Sequence, residues 1–408
     1  MKRVFISTGE VSGDLQASLL VRSLYDQAAA RNIELEVSAL GGPRMAAAGA
    51  KVLADTSPIG SIGLWEALPY VLPTLKVQRQ AKGFLTANPP DLVVLVDYLG
   101  PNLSLGKFIR KTFPEVPIWY YIAPQEWVWS MGDRNTNQLA GLVDCILSIF
   151  PEEARYYRAK GAAVKWVGHP LLDHLAQAPS RDQARQRLGI MPSEQAIALI
   201  PASRQQEIKY LMPTMFQAAQ ELQQRLEQQG QPARFWIPLS LEKYRGAIAE
   251  AVAQFGLQAT IVGRPEIEAL DIPAEDLGQQ PSITCLAGAD LAIAKSGTVN
   301  LEAALLNVPQ AVVYRVSPIT AWVARNILKF SIPFMSIVNL VEMQSVVPEF
   351  LQEAATPEAI TQEAWELLQA QRRETVLQNY GGLRQALGDG GACQRAADAI
   401  LDGILQGM

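Results

Sequence analysis

Short apolar runs alternate with helix-type segments along the whole chain, and this alternation is the feature that most constrains the fold. The runs carry Val, Ile and Leu on both faces, which is typical of strands buried in a parallel sheet. They lie at 4–7, 36–40, 92–96, 118–122, 145–149, 197–200, 234–239, 260–262, 291–294 and 310–314. The pattern predicts an α/β fold with two Rossmann-like, doubly wound domains of similar size.

A chain of 408 residues is too long for one ordinary hydrophobic core. We predict an N-terminal domain over 1–176, a polar linker over 177–186 and a C-terminal domain over 187–355, followed by a tail over 356–408 with a helical pattern. Parallel sheets of this kind bind ligands at the carboxyl ends of their strands. We therefore expect a binding cleft between the two domains.

Composition argues against several classes of function. The formal net charge is −5, so no face-sized surplus of basic groups is available for nucleic acid. The 3 cysteines and 2 histidines lack the spacing of a disulfide framework or a zinc site, so we expect neither a metal nor a cofactor. No apolar run reaches the length of a membrane span, and Gly9-Glu10 interrupts the opening one. These features predict a cytoplasmic protein, soluble or peripherally bound.

The turn Ser296-Gly297-Thr298 joins a strand-type run to a helix-type run. A small, hydroxyl-rich turn at such a junction presents backbone N–H groups and the positive end of the helix dipole, which suits a phosphate. Glu302 lies one helical turn further on, where its carboxylate could accept hydrogen bonds from a ribose. The glycine-rich loop of the ATPases is absent. An ordinary capped strand–helix turn is the alternative interpretation.

Polar residues also follow the first strand, where Gly9, Glu10, Ser12 and Asp14 lie close together. Glycine lets a ligand approach the backbone, and Ser12 or Asp14 could cap the first helix. Capping alone accounts for Asp14, whereas Glu10 is harder to explain without a polar ligand.

Asp97 directly follows the apolar run 92–96. Partial desolvation at such a strand end can raise the pKa of a carboxyl into the working range of a general base. The alternative is a helix cap for the segment that starts near Asn102.

Ser203 and Arg204 follow the first strand of the second domain. Arg204 is suited to a pyrophosphate, because the guanidinium group matches the geometry of phosphate oxygens. A surface salt bridge between Arg204 and Glu207 is the alternative.

Aromatic residues cluster at Tyr120, Tyr121, Trp127 and Trp129. They could line a sugar site, although such clusters are more often core. His169 precedes a proline at the domain junction, where a hinge hydrogen bond is the simpler interpretation.

The segment 59–84 carries an apolar stripe bordered by basic groups. Its apolar members include Leu68, Val71, Leu72 and Leu75, and its basic members are Lys76, Arg79 and Lys82. This pattern fits an interfacial membrane contact, and a buried helix with a solvated end is the alternative. Pro69 and Pro73 argue against a long regular helix.

Read in order, several motifs resemble those of the bacterial lipid-A-disaccharide synthases over nearly the whole chain. They are G-E-x-S-G-D at 9–14, G-G-P-R-M at 41–45, I-G-L-W-E-A-L at 62–68, Y-Y-I-A-P-Q-E-W-V-W at 120–129, V-G-H-P-L-L-D at 167–173, I-P-A-S-R-Q-Q-E-I at 200–208, S-G-T-x-x-L-E at 296–302 and V-P-E-F-L-Q at 347–352. The resemblance implies a GT-B fold and a metal-independent, inverting glycosyltransferase peripheral to the inner membrane. Its substrates would be UDP-2,3-diacylglucosamine and 2,3-diacylglucosamine 1-phosphate, and its products the β-1,6-linked disaccharide and UDP. It also implies a tail that packs back on the N-terminal domain or is exchanged between the two chains of a dimer.

The resemblance further implies a role for each candidate residue. Asp97 would be the base for the 6-hydroxyl of the acceptor, with Glu10 beside it in the catalytic group. The donor UDP-sugar would be bound by Ser203, Arg204, Ser296, Gly297, Thr298 and Glu302, and the acceptor by Gly9, Ser12 and Asn102. This chain departs from the family pattern at 98–101 and 125–130, which leaves the exact acceptor and its acyl chains open.

Two other functions remain as alternatives. Another enzyme of the same fold could use UDP-N-acetylglucosamine, either transferring the sugar to a different acceptor or epimerising it. A two-domain solute-binding protein is the non-enzymatic alternative, although it would normally carry a secretion signal.

Overall fold

The computed structural model describes residues 1–57, 64–128, 132–268, 281–326 and 333–406. They form two compact units, each described by itself. The N-terminal unit comprises Met1–His174 and Leu387–Met408, and the C-terminal unit comprises Leu175–Ala386.

The N-terminal unit is built on a parallel sheet. Its strands are β1 (Lys2–Ser7), β2 (Leu35–Gly41), β3 (Lys51–Asp55), β4 (Leu92–Val96), β5 (Ile118–Tyr121), β6 (Cys145–Ser148) and β7 (Val164–Trp166). Its helices up to the junction are α1 (Glu10–Ala30), α2 (Pro43–Ala47), α3 (Leu64–Ala87), α4 (Leu99–Thr112), α5 (Arg134–Ala140), α6 (Pro151–Ala159) and α7 (Leu171–Leu175). The strand order β3-β2-β1-β4-β5-β6-β7 reverses between β1 and β4. Such a reversal leaves a crevice at the carboxyl ends of the two strands.

The C-terminal unit repeats this plan. Its strands are β8 (Gln195–Ile200), β9 (Ala233–Pro238), β10 (Ala259–Val262), β11 (Leu291–Lys295), β12 (Gln310–Tyr314) and β13 (Glu349–Leu351). Its helices are α8 (Arg181–Leu188), α9 (Gln205–Tyr210), α10 (Met212–Gln228), α11 (Arg245–Gln254), α12 (Arg264–Glu268), α13 (Pro281–Gly288), α14 (Val299–Leu305), α15 (Pro318–Asn326), α16 (Ile337–Glu342), α17 (Pro357–Leu368) and α18 (Ala370–Leu387), with 3-10 turns at Glu242–Tyr244 and Gln352–Ala354. The order β10-β9-β8-β11-β12-β13 reverses between β8 and β11. The last helix of the chain, α19 (Ala392–Gln406), returns to the N-terminal unit.

These two sheets confirm the predicted pair of Rossmann-like domains. Every residue of β4 is buried, and β1 and β8 are buried over most of their length. Continuous apolar runs of this kind are what a strand covered on both faces requires. The edge strands β3, β7 and β13, which the sequence analysis missed, are partly exposed, so they lack that signal.

The predicted linker over 177–186 is wrong. Residues 181–188 form α8, which begins at an N-cap where the Ser180 hydroxyl accepts a hydrogen bond from the Gln183 N–H. The polar character of the segment has a structural cause, because Arg181 and Arg185 both pair with Asp290 of the same unit at 2.5 and 3.2 Å.

The predicted tail over 356–408 is divided between the units. Helix α17 packs on α10, and the Tyr380 hydroxyl of α18 donates to the Val308 carbonyl at 3.0 Å, so this part belongs to the C-terminal unit. Helix α19 packs on α1. Arg31 fixes that packing through Asp398 and Asp402 at 2.5 and 2.6 Å.

Two local expectations also need correction. Helix α3 continues through Pro69 and Pro73. Pro73 has no N–H to donate to the carbonyl four residues earlier, and because Pro73 is exposed, water can donate to that carbonyl instead. Asp14 does not cap its own helix: its carboxylate accepts from the N–H groups of Gly42 at 2.8 Å and Met45 at 3.1 Å, which caps α2 instead.

Candidate functional site

In the N-terminal unit, the candidate residues lie at the reversal of strand order. Strands β1 and β4 are neighbours in register, with Ser7 opposite Leu95. Glu10 follows β1 with a φ of 64°, and Asp97 follows β4 with a φ of 47°. A left-handed backbone is unfavourable for residues other than glycine and clusters at functional sites. The two carboxylates are therefore carried by tightly determined turns at adjacent strand ends.

Tyr98 joins these two turns. A Cβ atom on Gly9 would lie 2.5 Å from Cδ1 of the Tyr98 ring, so only glycine permits this contact. Burial, together with the nearby Glu10 carboxylate, raises the pKa of Tyr98, and the Tyr98 side chain lines a small cavity with Ser7 and with Thr74 of α3. Ser12 is half-buried in the first turn of α1.

Asp97 is half-buried, and its main chain is firmly held. Its carbonyl accepts hydrogen bonds from the Tyr120 hydroxyl and from Asn102 Nδ2, the latter at 2.8 Å. Its N–H donates to the Tyr121 carbonyl at 3.3 Å. Tyr98, and not Asp97, is the N-cap residue of α4. The alternative interpretation of Asp97 as the cap of this helix is therefore wrong.

The expected role of Asn102 in contacting the acceptor is corrected by its burial. Its side chain is 0% exposed and lies beneath the strand ends. Its Oδ1 accepts from the Ser7 hydroxyl at 2.8 Å, and its Nδ2 donates to the carbonyls of Val96 and Asp97 at 3.1 and 2.8 Å. Asn102 therefore positions the turn that carries Asp97, and its side chain has no exposed surface in this structure.

Glu153 on α6 is a buried carboxylate that the sequence analysis missed. It is 1% exposed. It accepts from the N–H groups of Ala123 at 2.9 Å, Ile149 at 2.9 Å and Phe150 at 3.2 Å. Burial raises its pKa to about 7, against those three hydrogen bonds, which favour the charged form. Glu153 thus joins the loops that follow β5 and β6.

The aromatic cluster is largely core. Tyr120 and Tyr121 are 0% exposed, while the Trp127 ring lies 5.8 Å from that of Phe150; Trp129 is outside the described residues. His169 Nδ1 accepts from the Leu171 N–H at 3.1 Å, and burial lowers the pKa of His169 to about 3. This neutral, hydrogen-bonded imidazole fits the simpler hinge interpretation.

In the C-terminal unit, Glu207 organises the loop after β8. Its Oε2 accepts from the N–H groups of Ser203 at 2.5 Å and Arg204 at 2.9 Å. The Arg204 guanidinium lies 3.6 Å from Glu207 Oε1, and the two side chains are only 25% and 14% exposed. The salt bridge considered as the alternative for Arg204 is therefore present. It also holds the guanidinium at the carboxyl end of β8.

The turn 296–298 follows β11, the neighbour of β8. It has fewer open donors than the sequence suggested, because the Gly297 N–H donates to Asn300 Oδ1 at 2.8 Å and the Ser296 hydroxyl to the Met335 carbonyl at 2.7 Å. Among the described residues, no backbone acceptor outside the helix pairs with the N–H groups of Thr298 and Val299 at the start of α14. Glu302 lies on α14 and is 4% exposed.

Lys295 is a second residue that the sequence analysis missed. It is the last residue of β11, its side chain is 12% exposed, and its Nζ lies 4.0 Å from Glu207 Oε1. A Cβ atom on Gly297 would be 2.6 Å from Lys295 Nζ, so the ammonium group lies against the turn. A charged residue closing an apolar strand was the available signal, as it was for Asp97.

The predicted stripe on α3 is exposed where the structure describes it. Val71, Leu72 and Leu75 are 46%, 77% and 60% exposed. Lys76 and Arg79 are exposed as well, whereas the side chain of Leu68 lies outside those described. Further along the helix, Ala81 and Leu85 are buried in the core, at 0% and 1% exposed.

Two features are absent from the described residues. None of the helices there combines the length and apolar character that a bilayer-spanning segment needs. The same part of the chain holds no group of three or more His, Cys, Asp or Glu side chains arranged to bind a metal ion.

Comparison with known proteins relates this geometry to a family. A family model described as lipid-A-disaccharide synthetase matches residues 4–401. The lipid-A-disaccharide synthase of Gloeothece citriformis is 54% identical over 401 residues, covering 98% of this chain and 99% of that protein. The Synechocystis sp. protein of the same name is 48% identical over 402 residues, covering 98% and 97%.

A solved structure supports the fold. The UDP-GlcNAc 2-epimerase of Neisseria meningitidis, bound to UDP-GlcNAc, has a TM-score of 0.65 at 13% identity, with 98% of this chain and 100% of that chain covered. This likeness agrees with the GT-B class that the resemblance implied. The family match over residues 4–401 and the identity to both relatives lead to one conclusion. The chain belongs to the lipid-A-disaccharide synthase family and is a glycosyltransferase that forms the lipid A disaccharide.

Proposed function

We propose that the enzyme joins UDP-2,3-diacylglucosamine to 2,3-diacylglucosamine 1-phosphate with inversion, giving the β-1,6-linked disaccharide 1-phosphate and UDP. The observation that carries this proposal is the placement of candidate groups at the strand-order reversal of each sheet: Glu10 and Asp97 after β1 and β4, Arg204 and the turn 296–298 after β8 and β11. Ligands of doubly wound sheets bind at such reversals.

In this proposal Asp97 is the general base. It takes the proton of the acceptor 6-hydroxyl while the oxygen attacks C1 of the donor sugar and the bond from C1 to the diphosphate oxygen breaks. Attack from the face opposite the leaving group inverts C1. The fixed main chain of Asp97, held by Asn102 and Tyr120, supports this role because a base must be positioned before its pKa matters. Glu10 acts beside it, and Gly9 and Ser12 contact the acceptor.

The donor is assigned to the C-terminal unit. Arg204, Ser203 and the turn 296–298 bind the UDP diphosphate, and Glu302 binds the ribose. Preorganised charge and N–H groups stabilise the negative charge that develops on the leaving group, a task that metal ions perform in other transferases. The UDP-GlcNAc bound to the Neisseria meningitidis epimerase lends support to a UDP-sugar donor.

We also propose that α3 places the enzyme on the cytoplasmic surface of the inner membrane. Val71, Leu72 and Leu75 would enter the interface, and Lys76 and Arg79 would contact anionic headgroups. Thr74 of α3 and Tyr98 line the same small cavity, which supports a link between this surface and the acceptor site. The net charge of −5 opposes tight binding, so attachment would be reversible.

A homodimer that exchanges its C-terminal segments is a further part of the proposal. Helix α19 packs on α1 through Arg31, Asp398 and Asp402, and the same contacts would form between two chains after exchange. Light scattering at several protein concentrations tests for the dimer, and a uniform monomer mass would contradict it.

The competing activity to test against is that of a UDP-N-acetylglucosamine epimerase, because the Neisseria meningitidis epimerase has the same fold. Mass spectrometry of products separates the two. The purified protein is incubated with UDP-diacylglucosamine, with and without a panel of monosaccharide acceptors, and in parallel with UDP-N-acetylglucosamine. We expect a disaccharide only when the diacylated donor and acceptor are both present. An acceptor-independent change in UDP-N-acetylglucosamine would favour the epimerase.

A further inference from the structure

The pairing of strands β8 and β11 places Lys295 near Arg204. Strands β8 and β11 pair in parallel, with Ile200 opposite Ala294. Arg204 therefore lies just beyond the end of β8, and Lys295 is the last residue of the neighbouring strand β11. The carboxyl ends of two neighbouring parallel strands meet at one edge of a sheet, so both cations lie at the reversal of strand order.

Glu207 holds the two cations together. Its Oε1 lies 3.6 Å from Arg204 Nη1 and 4.0 Å from Lys295 Nζ. Its Oε2 is engaged by the N–H groups of Ser203 and Arg204, so the carboxylate is fixed from both sides. Two like charges held near one oxygen repel each other. A polyanion with several oxygens, such as a diphosphate, relieves that repulsion by contacting both.

Gly297 leaves room for the ammonium group of Lys295. A Cβ atom at this position would lie 2.6 Å from Nζ and 3.4 Å from Cε of Lys295. The absence of a side chain thus lets the lysine lie flat against the turn, and its exposure of 12% shows that it does not extend into solvent.

We propose that Lys295 is a second cation for the diphosphate of the donor, acting with Arg204 on the leaving UDP. This inference rests on the proposed function, since it assumes a UDP-sugar in the C-terminal unit. As the bond from C1 to the diphosphate oxygen breaks, its electron pair passes to that oxygen, and the ammonium group stabilises the added charge. Lys295 would then affect both UDP binding and turnover.

Calorimetry with uridine and with UDP tests the proposal. Hydrogen bonds to charged groups contribute about 1.5–3 kcal/mol, and about 1.4 kcal/mol is tenfold in affinity. Lys295→Met should therefore weaken UDP binding by about 10- to 100-fold, leave uridine binding unchanged and lower kcat. Arg234→Met is the matched control, because Arg234 pairs with Glu194 at 3.2 Å and lies at the amino end of β9 in the same unit. It should bind UDP like the wild type.

Two outcomes separate the failure of this inference from that of the proposed function. If Lys295→Met binds UDP normally while Arg204→Ala binds it weakly, Lys295 is a structural ion-pair partner only. If the wild type binds no UDP, the donor assignment itself fails, and Lys295 falls with it. Gly297→Ala covers the case in which Lys295→Met does not fold. Its added methyl group displaces Nζ without removing the charge, so UDP affinity should again fall, and unchanged affinity would overturn the proposal.

Discussion

Single side chains at the strand ends differ in what they contribute, and burial decides which of them can touch a substrate. Asp97 is half-buried and follows a strand whose residues are all buried, so its carboxylate lies at the boundary between core and solvent. Asn102, at 0% exposed, can act only through the turn that it holds. The proposed base therefore depends on a positioning residue beneath it.

Asp97→Asn should retain the fold and UDP binding, because the main-chain bonds to Asn102 and Tyr120 do not involve the carboxylate. Turnover should fall by about 100-fold or more, which is typical for the loss of a general base. Initial rates of disaccharide formation measure the loss, and circular dichroism serves as the control for folding. Near-normal turnover in a folded variant would remove Asp97 from the mechanism.

At the scale of elements, Glu153 ties α6 to the loops after β5 and β6, and its protonation should be visible in stability. Its folded pKa of about 7 lies above the usual glutamate value of 4.5. The folded state then binds the proton more tightly, so this contribution to stability is complete below pH ~4.5 and is lost as the pH rises to ~7. A shift of this size corresponds to roughly 3 kcal/mol.

Urea unfolding at several pH values between ~5 and ~7 measures this effect. The free energy of unfolding of the wild type should fall over that range. Glu153→Gln cannot ionise, so the part of the slope that belongs to Glu153 should disappear whatever the absolute stability of the variant. Equal slopes in the two proteins would show that Glu153 ionises normally.

Helix α3 is the element that separates a lipid substrate from a soluble sugar. Burying a leucine side chain is favourable by about 1.5–3 kcal/mol, so Leu72→Ser with Leu75→Ser should weaken liposome binding by at least about tenfold. Activity on long-chain substrates should fall, while activity on a short-chain analogue persists. Leu405→Ser, at a leucine 55% exposed on α19, is the matched control. Liposome binding equal to that of the control would assign the stripe another role.

At the scale of the whole molecule, the sequence predicted what local patterns encode. The central strands of both sheets were predictable from continuous apolar runs, and so were the positions of Asp97 and of the turn 296–298 at the ends of such strands. Contacts between distant residues could not be predicted: Ser7 and Asn102 are 95 positions apart, and Glu153 and Ala123 are 30 apart. Lys295 carried a local signal, as the charged residue that closes β11, but its contact with Glu207 on α9 could not be predicted from the sequence. The prediction of a linker over 177–186 was wrong because Arg181 and Arg185 pair with Asp290. That partner lies 109 residues from Arg181 and could not be identified from the sequence.

The stereochemistry of the product tests the central claim most directly. We predict that NMR of the anomeric protons will show a β-1,6-linked disaccharide formed from the α-linked donor, in the presence of a chelator as well as in its absence. Its formation should require both substrates. An α-linked disaccharide, or a sugar altered at C2 without any acceptor, would contradict inverting transfer by this enzyme.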